Sequence, residues 1–198
     1  MNKKAVFGAV GVVVIAALGF VGYKVASLRA EAAKWAGPMK EIVEETVTHD
    51  NNVTRARYVS LIDAPLAKVQ QAIWNVENSQ QTVANIKLSK LLEEKGNTKL
   101  VEINLQALNL PLQNYTMEFT LHPEEHSVTF KTVKSQAQDI EGEYKFEASP
   151  DGARTRLVYT STSKDKIAVP FPQSVLDSAN RETYVNTVRG IEKSLKQG

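Results

Sequence analysis

The sequence predicts an α+β domain in which a curved antiparallel sheet of about seven strands surrounds one long C-terminal helix, preceded by one transmembrane helix. Three observations support this prediction. Residues 5–23 form an uncharged run, residues 86–162 contain three pairs of β-patterned segments joined by short turns, and residues 173–196 show helical spacing of apolar side chains. Consecutive hairpins without helices between them indicate an antiparallel sheet. A sheet with one apolar face needs a covering element, and the last helix is long enough to serve.

Composition indicates a folded domain and excludes several classes of function. The chain has 198 residues, of which 42% are hydrophobic and 23% are charged, so neither a disordered nor a collagen-like protein is expected. The formal net charge is only +2, and basic residues alternate with acidic ones, so we expect no nucleic-acid partner. The absence of cysteine excludes disulfides, thiolate metal sites and cysteine nucleophiles.

The first apolar segment has the length of a membrane span. Residues 5–23 carry no charge, and nineteen helical residues cover roughly 28 Å, close to the thickness of the hydrocarbon core. Lys3 and Lys4 favour a cytoplasmic N-terminus. We therefore predict an uncleaved anchor in the cell membrane with the domain on the extracytoplasmic side, which is the periplasm in a bacterium. A cleaved signal peptide is the alternative.

The remaining chain divides into a stalk and a domain. We predict an N-terminal anchor over residues 1–23, a helical stalk or linker over 24–53, and a ligand-binding domain over 54–198. Apolar residues at helical spacing continue the anchor helix until Gly37-Pro38 ends it. Residues 39–48 are expected to form a short amphipathic helix before a polar turn.

Within the domain, the periodicity of apolar residues assigns each element in order. Residues 55–62 predict a strand, and Asp63-Ala64-Pro65 predicts the start of a helix that continues to residue 76. A shorter helix over 77–85 follows. The predicted sheet then continues with strands over 86–94, 98–108, 113–122, 127–136, 141–149 and 154–162, and the terminal helix covers 173–196.

Alternation within the strands places a set of aromatic side chains on one face of the sheet. A buried tyrosine needs a hydrogen-bond partner, so several tyrosines on one face indicate either a plain core or the lining of a cavity. Small residues on the terminal helix, which include Ser178, Ala179 and Gly190, would leave room beneath it. The candidate cavity-lining residues are Tyr115, Met117, Phe119, Phe130, Tyr144, Phe146, Tyr159, Thr183, Tyr184 and Thr187. Arg181 is either a surface residue or an anchor for an anionic head group.

Two motif matches are attributed to chance. The string from His122 to His126 matches H-x-x-E-H, but the motif binds zinc only on a helix, and here a proline opens a hairpin turn. Ser161 and Lys164 match S-x-x-K at the end of a strand and lack the partner motifs. We therefore assign no catalytic residue and no metal site.

Several of these residues together resemble a known superfamily. Ile62-Asp63-Ala64-Pro65, then Gly142-Glu143-Tyr144-Lys145-Phe146, then Asp151-Gly152 leading to Thr155-Arg156-Leu157 resemble the START-like (SRPBCC) superfamily, and within it the polyketide cyclase/dehydrase and lipid-transport group. The resemblance covers residues 54–196 and rests on the order and spacing of elements. Gln70 and Asn75 stand where members often have tryptophan and aspartate.

The resemblance implies a helix-grip fold whose cavity binds a lipid, sterol, quinone or polyketide. Some members are cyclases or aromatases, and several only bind and transport their ligand. We therefore expect a membrane-tethered binding or transport protein for a hydrophobic ligand, without a cofactor. Two alternatives remain open at this point: a cyclase- or aromatase-type enzyme that uses the same cavity, and a protein-interaction module that has no ligand.

Overall fold

The computed structural model describes residues 29–108, 110–168 and 170–196. The predicted anchor over residues 5–23 lies outside the described residues. Within the described ranges, no helix is both long enough and apolar enough to cross a membrane. The chain forms two compact units, Met1–Gly37 and Pro38–Gly198. The described part of the first unit contains a helical segment at residues 29–34.

The second unit is an eight-stranded antiparallel sheet with one long C-terminal helix, which confirms the predicted α+β fold class. The strand order across the sheet is β1-β2-β8-β7-β6-β5-β4-β3. The strands are β1 (Lys40–Asp50), β2 (Val53–Ile62), β3 (Ile86–Lys95), β4 (Thr98–Leu105), β5 (Gln113–His122), β6 (Ser127–Ser135), β7 (Gln138–Ala148) and β8 (Thr155–Asp165). The helices are α1 (Leu66–Trp74), a short 3₁₀-helix (Val76–Gln81) and α2 (Gln173–Leu195).

The extra strand β1 corrects the prediction for the stalk. Residues 39–48 were expected to be an amphipathic helix, which is wrong, because β1 pairs with β2 along most of its length. The sheet therefore has eight strands, and the domain includes residues that precede the expected boundary at 54. The alternation typical of a strand is hidden here, because the face of β1 that carries Val47 also carries Glu45 and His49. Tertiary pairing overrides the local preference.

The segment after α1 is also shorter than expected. A helix was predicted over 77–85, whereas the structure has one 3₁₀-helix that ends at Gln81. The Ser79 hydroxyl donates a hydrogen bond to the Val76 carbonyl, and bonds of this type compete with a regular helix. Buried Lys99 holds the segment on the sheet, because its ammonium group lies 2.9 Å from Glu77 and 4.7 Å from the centre of the Trp74 ring.

Helix α2 packs on the apolar face of the sheet and is also joined to the edge strand β1. Tyr184, Val188 and Ile191 of α2 belong to the core. Three polar pairs connect the exposed flank of α2 to β1 in antiparallel order: His49–Asp177 at 3.2 Å, Glu45–Arg181 at 3.0 Å and Glu41–Arg189 at 3.1 Å. Exposed pairs of this kind each contribute roughly 0–1 kcal/mol to stability.

An aromatic cluster in the centre of the sheet depends on a glycine. Gly142 lies opposite Phe130, and a Cβ atom at Gly142 would come within 2.5 Å of the Phe130 ring. With no side chain in the way, the Phe130 ring stacks on Tyr159 with centroids 5.7 Å apart and contacts Tyr144 at 5.3 Å. The glycine therefore makes room for the aromatic wall.

The sheet opens at one end, between β6 and β7. These strands pair only from Ser127–Lys131 to Glu141–Lys145. Beyond that point β6 continues on β5, and β7 continues on β8. Gln138 donates a hydrogen bond of 2.7 Å from its side-chain amide to the Tyr115 hydroxyl near this end.

Candidate ligand-binding cavity

An inner chamber lies between the sheet, α1, the 3₁₀-helix and α2. Its volume is about 160 Å³. Isoleucines and valines of α1 and the following segment form one wall, and Thr183, Thr187 and Gly190 of α2 form another. Aromatic residues of the sheet complete the lining: Tyr115, Phe119, Phe130, Tyr144 and Tyr159. The described residues that line this chamber include no charged side chain.

A larger outer chamber adjoins the inner one at the N-terminal end of α2. Its volume is about 670 Å³, and it shares Leu105, Tyr115 and Thr183 with the inner chamber. The segments between β4 and β5 and between β8 and α2 form much of its wall. Unlike the inner chamber, it has charged side chains in its lining, namely Glu102, Lys134 and Asp165. Burial raises the pKa of the Asp165 carboxyl above its ordinary value.

Exposed apolar side chains are concentrated near the outer chamber. Leu108 and Leu112 are each 46% exposed, and Ile167 is 57% exposed. Leu112 and Ile167 line the outer chamber, and Leu108 belongs to the same loop as Leu112. Clustered exposed apolar residues are typical of a site that contacts a ligand, a protein or a membrane.

A second concavity, of about 640 Å³, lies on the opposite face of the sheet. Its lining is mainly threonine and charged side chains. Arg57 is already paired with Glu44 and Lys131 with Glu118, each at 2.8 Å. This face is unsuited to a hydrophobic ligand.

Eight of the ten predicted site residues line the inner chamber: Tyr115, Met117, Phe119, Phe130, Tyr144, Tyr159, Thr183 and Thr187. Phe146 and Tyr184 do not, because they are packed in the core at 2% and 3% exposure. The Tyr184 ring stacks on Tyr58 at 4.9 Å, and its hydroxyl lies 2.6 Å from the Ser60 hydroxyl. Alternation correctly gives the face of each residue. It does not show where the helix contacts the sheet directly.

Gly190 also differs from its expected role. It borders the inner chamber, but a Cβ atom there would lie 2.7 Å from a methyl group of Val83. This glycine allows α2 to approach the segment after the 3₁₀-helix closely, so it does not provide the free space that its small size suggested. Thr187, one turn earlier, also lines the chamber. Its hydroxyl donates a hydrogen bond to the Thr183 carbonyl.

The tyrosines that line the chamber differ in their hydrogen bonds. The Tyr115 hydroxyl accepts a hydrogen bond of 2.7 Å from the Gln138 side chain. The Tyr144 hydroxyl has no hydrogen bond to any residue that the structure describes. Burial, followed by the proximity of Tyr159 and Tyr184, raises the pKa of Tyr144 well above its ordinary value of 10.0. The Tyr144 side chain is therefore neutral at physiological pH.

The remaining sequence candidates lie away from the cavity. Arg181 pairs with Glu45 and does not line either chamber, so the structure offers no support for a role in binding a head group. His122 ends β5 and His126 occupies the following turn, as the hairpin interpretation requires. No group of three metal-ligating side chains occurs among the described residues.

Sequence patterns did not predict the walls formed by α1 and the loops. The inner chamber is lined by Ile73, Val76 and Val83. The outer chamber is lined by residues of the loop before β5 and of the connection between β6 and β7. The available signal was the string from Leu108 to Leu112, in which three leucines occur within a loop. A loop that is this apolar indicates a surface that is either covered or used for binding.

Comparison with known proteins gives fold relationships at low sequence identity. No protein-family model matches the chain, and no curated protein matches it. Among solved structures, the Zhui aromatase/cyclase of a Streptomyces species superposes with a TM-score of 0.65 at 14% identity, over 73% of this chain and 94% of that one. A START superfamily protein from Mycobacterium smegmatis gives a TM-score of 0.59 at 12% identity, over 72% and 97% of the two chains.

A STAR-related lipid transfer protein from Xanthomonas axonopodis gives a TM-score of 0.57 at 12% identity, over 77% of this chain and 99% of that one. The three neighbours thus include both an enzyme and a lipid transfer protein, so they do not distinguish these activities. Together with the order of elements described above, they identify the architecture. The chain has the helix-grip fold of the START-like superfamily.

Proposed function

We propose that this protein binds and carries a hydrophobic small molecule in the two adjoining chambers between the sheet and α2. The observation that supports this function best is the inner chamber, whose described lining is apolar and aromatic and has no charged group. Burial of apolar surface contributes roughly 25 cal/mol per Å², which favours a lipid-like ligand in such a space. The outer chamber, with its few charged groups, suits the more polar end of the molecule.

We further propose that the chain works at a membrane. The uncharged run over residues 5–23 has the length of a span, and Lys3 and Lys4 favour placement of the domain on the extracytoplasmic side. A tether of this kind would keep the cavity near the bilayer that supplies an insoluble ligand and raise the effective concentration of that ligand. Recovery of the full chain in the membrane fraction checks this part.

The test is identification of the molecules that co-purify with the full chain from the membrane fraction, by mass spectrometry. In Thr187→Phe, a larger side chain occupies the inner chamber, so we expect at least roughly tenfold less bound ligand, equivalent to about 1.4 kcal/mol. Its melting temperature should change little, because the added ring enters space that is empty of protein atoms. Overpacking of a filled core would instead cost about 1–3 kcal/mol.

Leu92→Phe is the matched control, since Leu92 is 45% exposed on β3 and lines neither chamber. This variant should retain the ligand of the parent chain. If the parent chain yields no hydrophobic molecule and Thr187→Phe is strongly destabilised, the interior is solid. A protein-interaction module would then replace the carrier.

A further inference from the structure

The charge distribution in the inner chamber restricts the ligand group that can enter it. Within the described lining, no lysine, arginine, histidine, aspartate or glutamate is present. An ionised carboxylate or ammonium group would lose its hydration there without a counter-ion, which is strongly unfavourable. The group that occupies this chamber must therefore be neutral.

The size and walls of the chamber restrict the shape of that group. Its volume is about 160 Å³. An engineered protein cavity of about 150 Å³ is known to hold one benzene molecule, so the space suits one six-membered ring. One wall of the chamber consists of the rings of Phe130, Tyr144 and Tyr159, whose centroids are 5.1–5.7 Å apart. Aromatic walls favour a planar ring over a branched chain through stacked and edge-to-face contacts.

The Tyr144 hydroxyl belongs to the lining of the chamber and is free to bond a ligand. The Tyr115 hydroxyl accepts from Gln138, whereas the Tyr144 hydroxyl has no hydrogen bond to any described residue. A ligand that offers this hydroxyl an acceptor within an apolar chamber gains one hydrogen bond and therefore affinity. The Tyr144 hydroxyl can donate to a carbonyl or hydroxyl oxygen.

From these three observations we propose that the inner chamber binds the terminal six-membered ring of a neutral ligand, with an oxygen on that ring hydrogen-bonded to the Tyr144 hydroxyl. This inference rests on the proposed carrier function. The ring enters first, and the rest of the molecule occupies the adjoining outer chamber. Phenols, quinones and cyclic alcohols or ketones meet the requirement. A fatty acid that enters carboxylate first does not.

The test compares three small probes on the full chain in lipid nanodiscs by fluorine NMR, with empty nanodiscs to subtract partitioning. The probes are 4-fluorophenol, fluorobenzene and 4-fluorobenzoate. We expect 4-fluorophenol to bind roughly fivefold or more tightly than fluorobenzene, which corresponds to the net worth of one hydrogen bond. 4-Fluorobenzoate should fail to displace either probe.

Two tyrosine variants assign the effect to a residue. Tyr144→Phe should abolish the preference for 4-fluorophenol and leave the affinity for fluorobenzene unchanged. Tyr58→Phe, which removes the hydroxyl of a core tyrosine that lines neither chamber, should keep the preference. A preference that survives in Tyr144→Phe, equal binding of the two neutral probes to the parent chain, or failure of both to bind would overturn the inference. The carrier function would still stand in each case if a hydrophobic molecule co-purifies and is lost in Thr187→Phe.

Discussion

At the scale of single residues, Gly142 determines how the aromatic wall of the cavity packs. The Phe130 ring occupies the space that a side chain at this position would need. Phe130 in turn contacts Tyr144 and Tyr159, which line the chamber. A change at Gly142 therefore reaches the candidate site through one intermediate ring.

We expect Gly142→Ala to lower the free energy of unfolding by at least about 1–3 kcal/mol, because the added methyl group would lie 2.2 Å from the Thr160 backbone oxygen and 2.5 Å from the Phe130 ring. Denaturant unfolding measures the change. Phe130→Leu relieves the contact with the ring but not the contact with the Thr160 backbone, so the alanine should retain part of its cost in the double variant and lose the part that is due to the ring. Additive effects of the two changes would contradict the proposed contact.

Residue-scale reasoning from the sequence could predict the face on which each strand residue lies. Alternation placed six strand residues on the chamber lining, and helical spacing placed Thr183 and Thr187 of α2 there. These patterns could not separate Phe146 and Tyr184 from these, because whether an inward side chain meets space or another side chain depends on how α2 sits on the sheet. Packing of this kind is not recorded in local spacing.

At the scale of elements, β1 is fixed to the sheet by a charged network as well as by backbone pairing. Glu44 of β1 lies 2.8 Å from Arg57 and also contacts Arg156. Arg156 is only 8% exposed, and its second partner is Glu147 at 3.1 Å. The hydrogen bond from Arg57, with a further contribution from Arg156, lowers the pKa of Glu44 below its ordinary value of 4.5.

This network predicts how stability depends on acid. A carboxyl whose pKa is lower in the folded than in the unfolded chain stabilises the fold above the unfolded value, and the contribution is lost as pH falls through the folded value. We therefore expect the melting temperature to fall as pH is lowered below 4.5. Glu44→Gln should have a lower melting temperature at pH 7 and a shallower fall in acid. Parallel curves for the two proteins would rule out this role of Glu44.

β1 itself shows where element prediction from the sequence fails. The hairpins from β3 to β8 and helix α2 were predictable, because each has alternating or helical apolar spacing and clear turn residues. β1 has glutamates on the face that meets α2, so its spacing resembles a polar helix. Its strand structure follows from pairing with β2, and contacts with Arg181 and Arg189 of the distant helix α2 are added to this pairing.

At the scale of the whole molecule, the compact unit Pro38–Gly198 includes β1, so the folded domain is larger than the sequence boundary at residue 54 suggested. Removal of β1 would expose the edge of β2 and deprive Arg156 of Glu44. A buried charge that loses a partner is costly, and an open strand edge favours aggregation.

We accordingly expect a fragment of residues 38–198 to unfold cooperatively and to exceed a fragment of residues 51–198 in stability by at least about 1–3 kcal/mol. Thermal and denaturant melts of the two fragments measure the difference. A third fragment that ends before α2, residues 38–168, should fail to unfold cooperatively, because the apolar face of its sheet is uncovered. Equal stability of the first two fragments would show that β1 is dispensable.

The contacts on the two flanks of α2 determine how a ligand can enter. Along one flank the helix is paired with β1, and along the other Asn85 donates to Thr183 and Lys193 donates to the Gln81 carbonyl, each at 2.9 Å. Lifting the helix off the sheet would break both sets of contacts together, whereas opening of the two loops that border the outer chamber breaks neither set. Ligand exchange is thus expected to follow loop opening, a motion of nanoseconds to microseconds, and the helix can stay in place while the molecule passes.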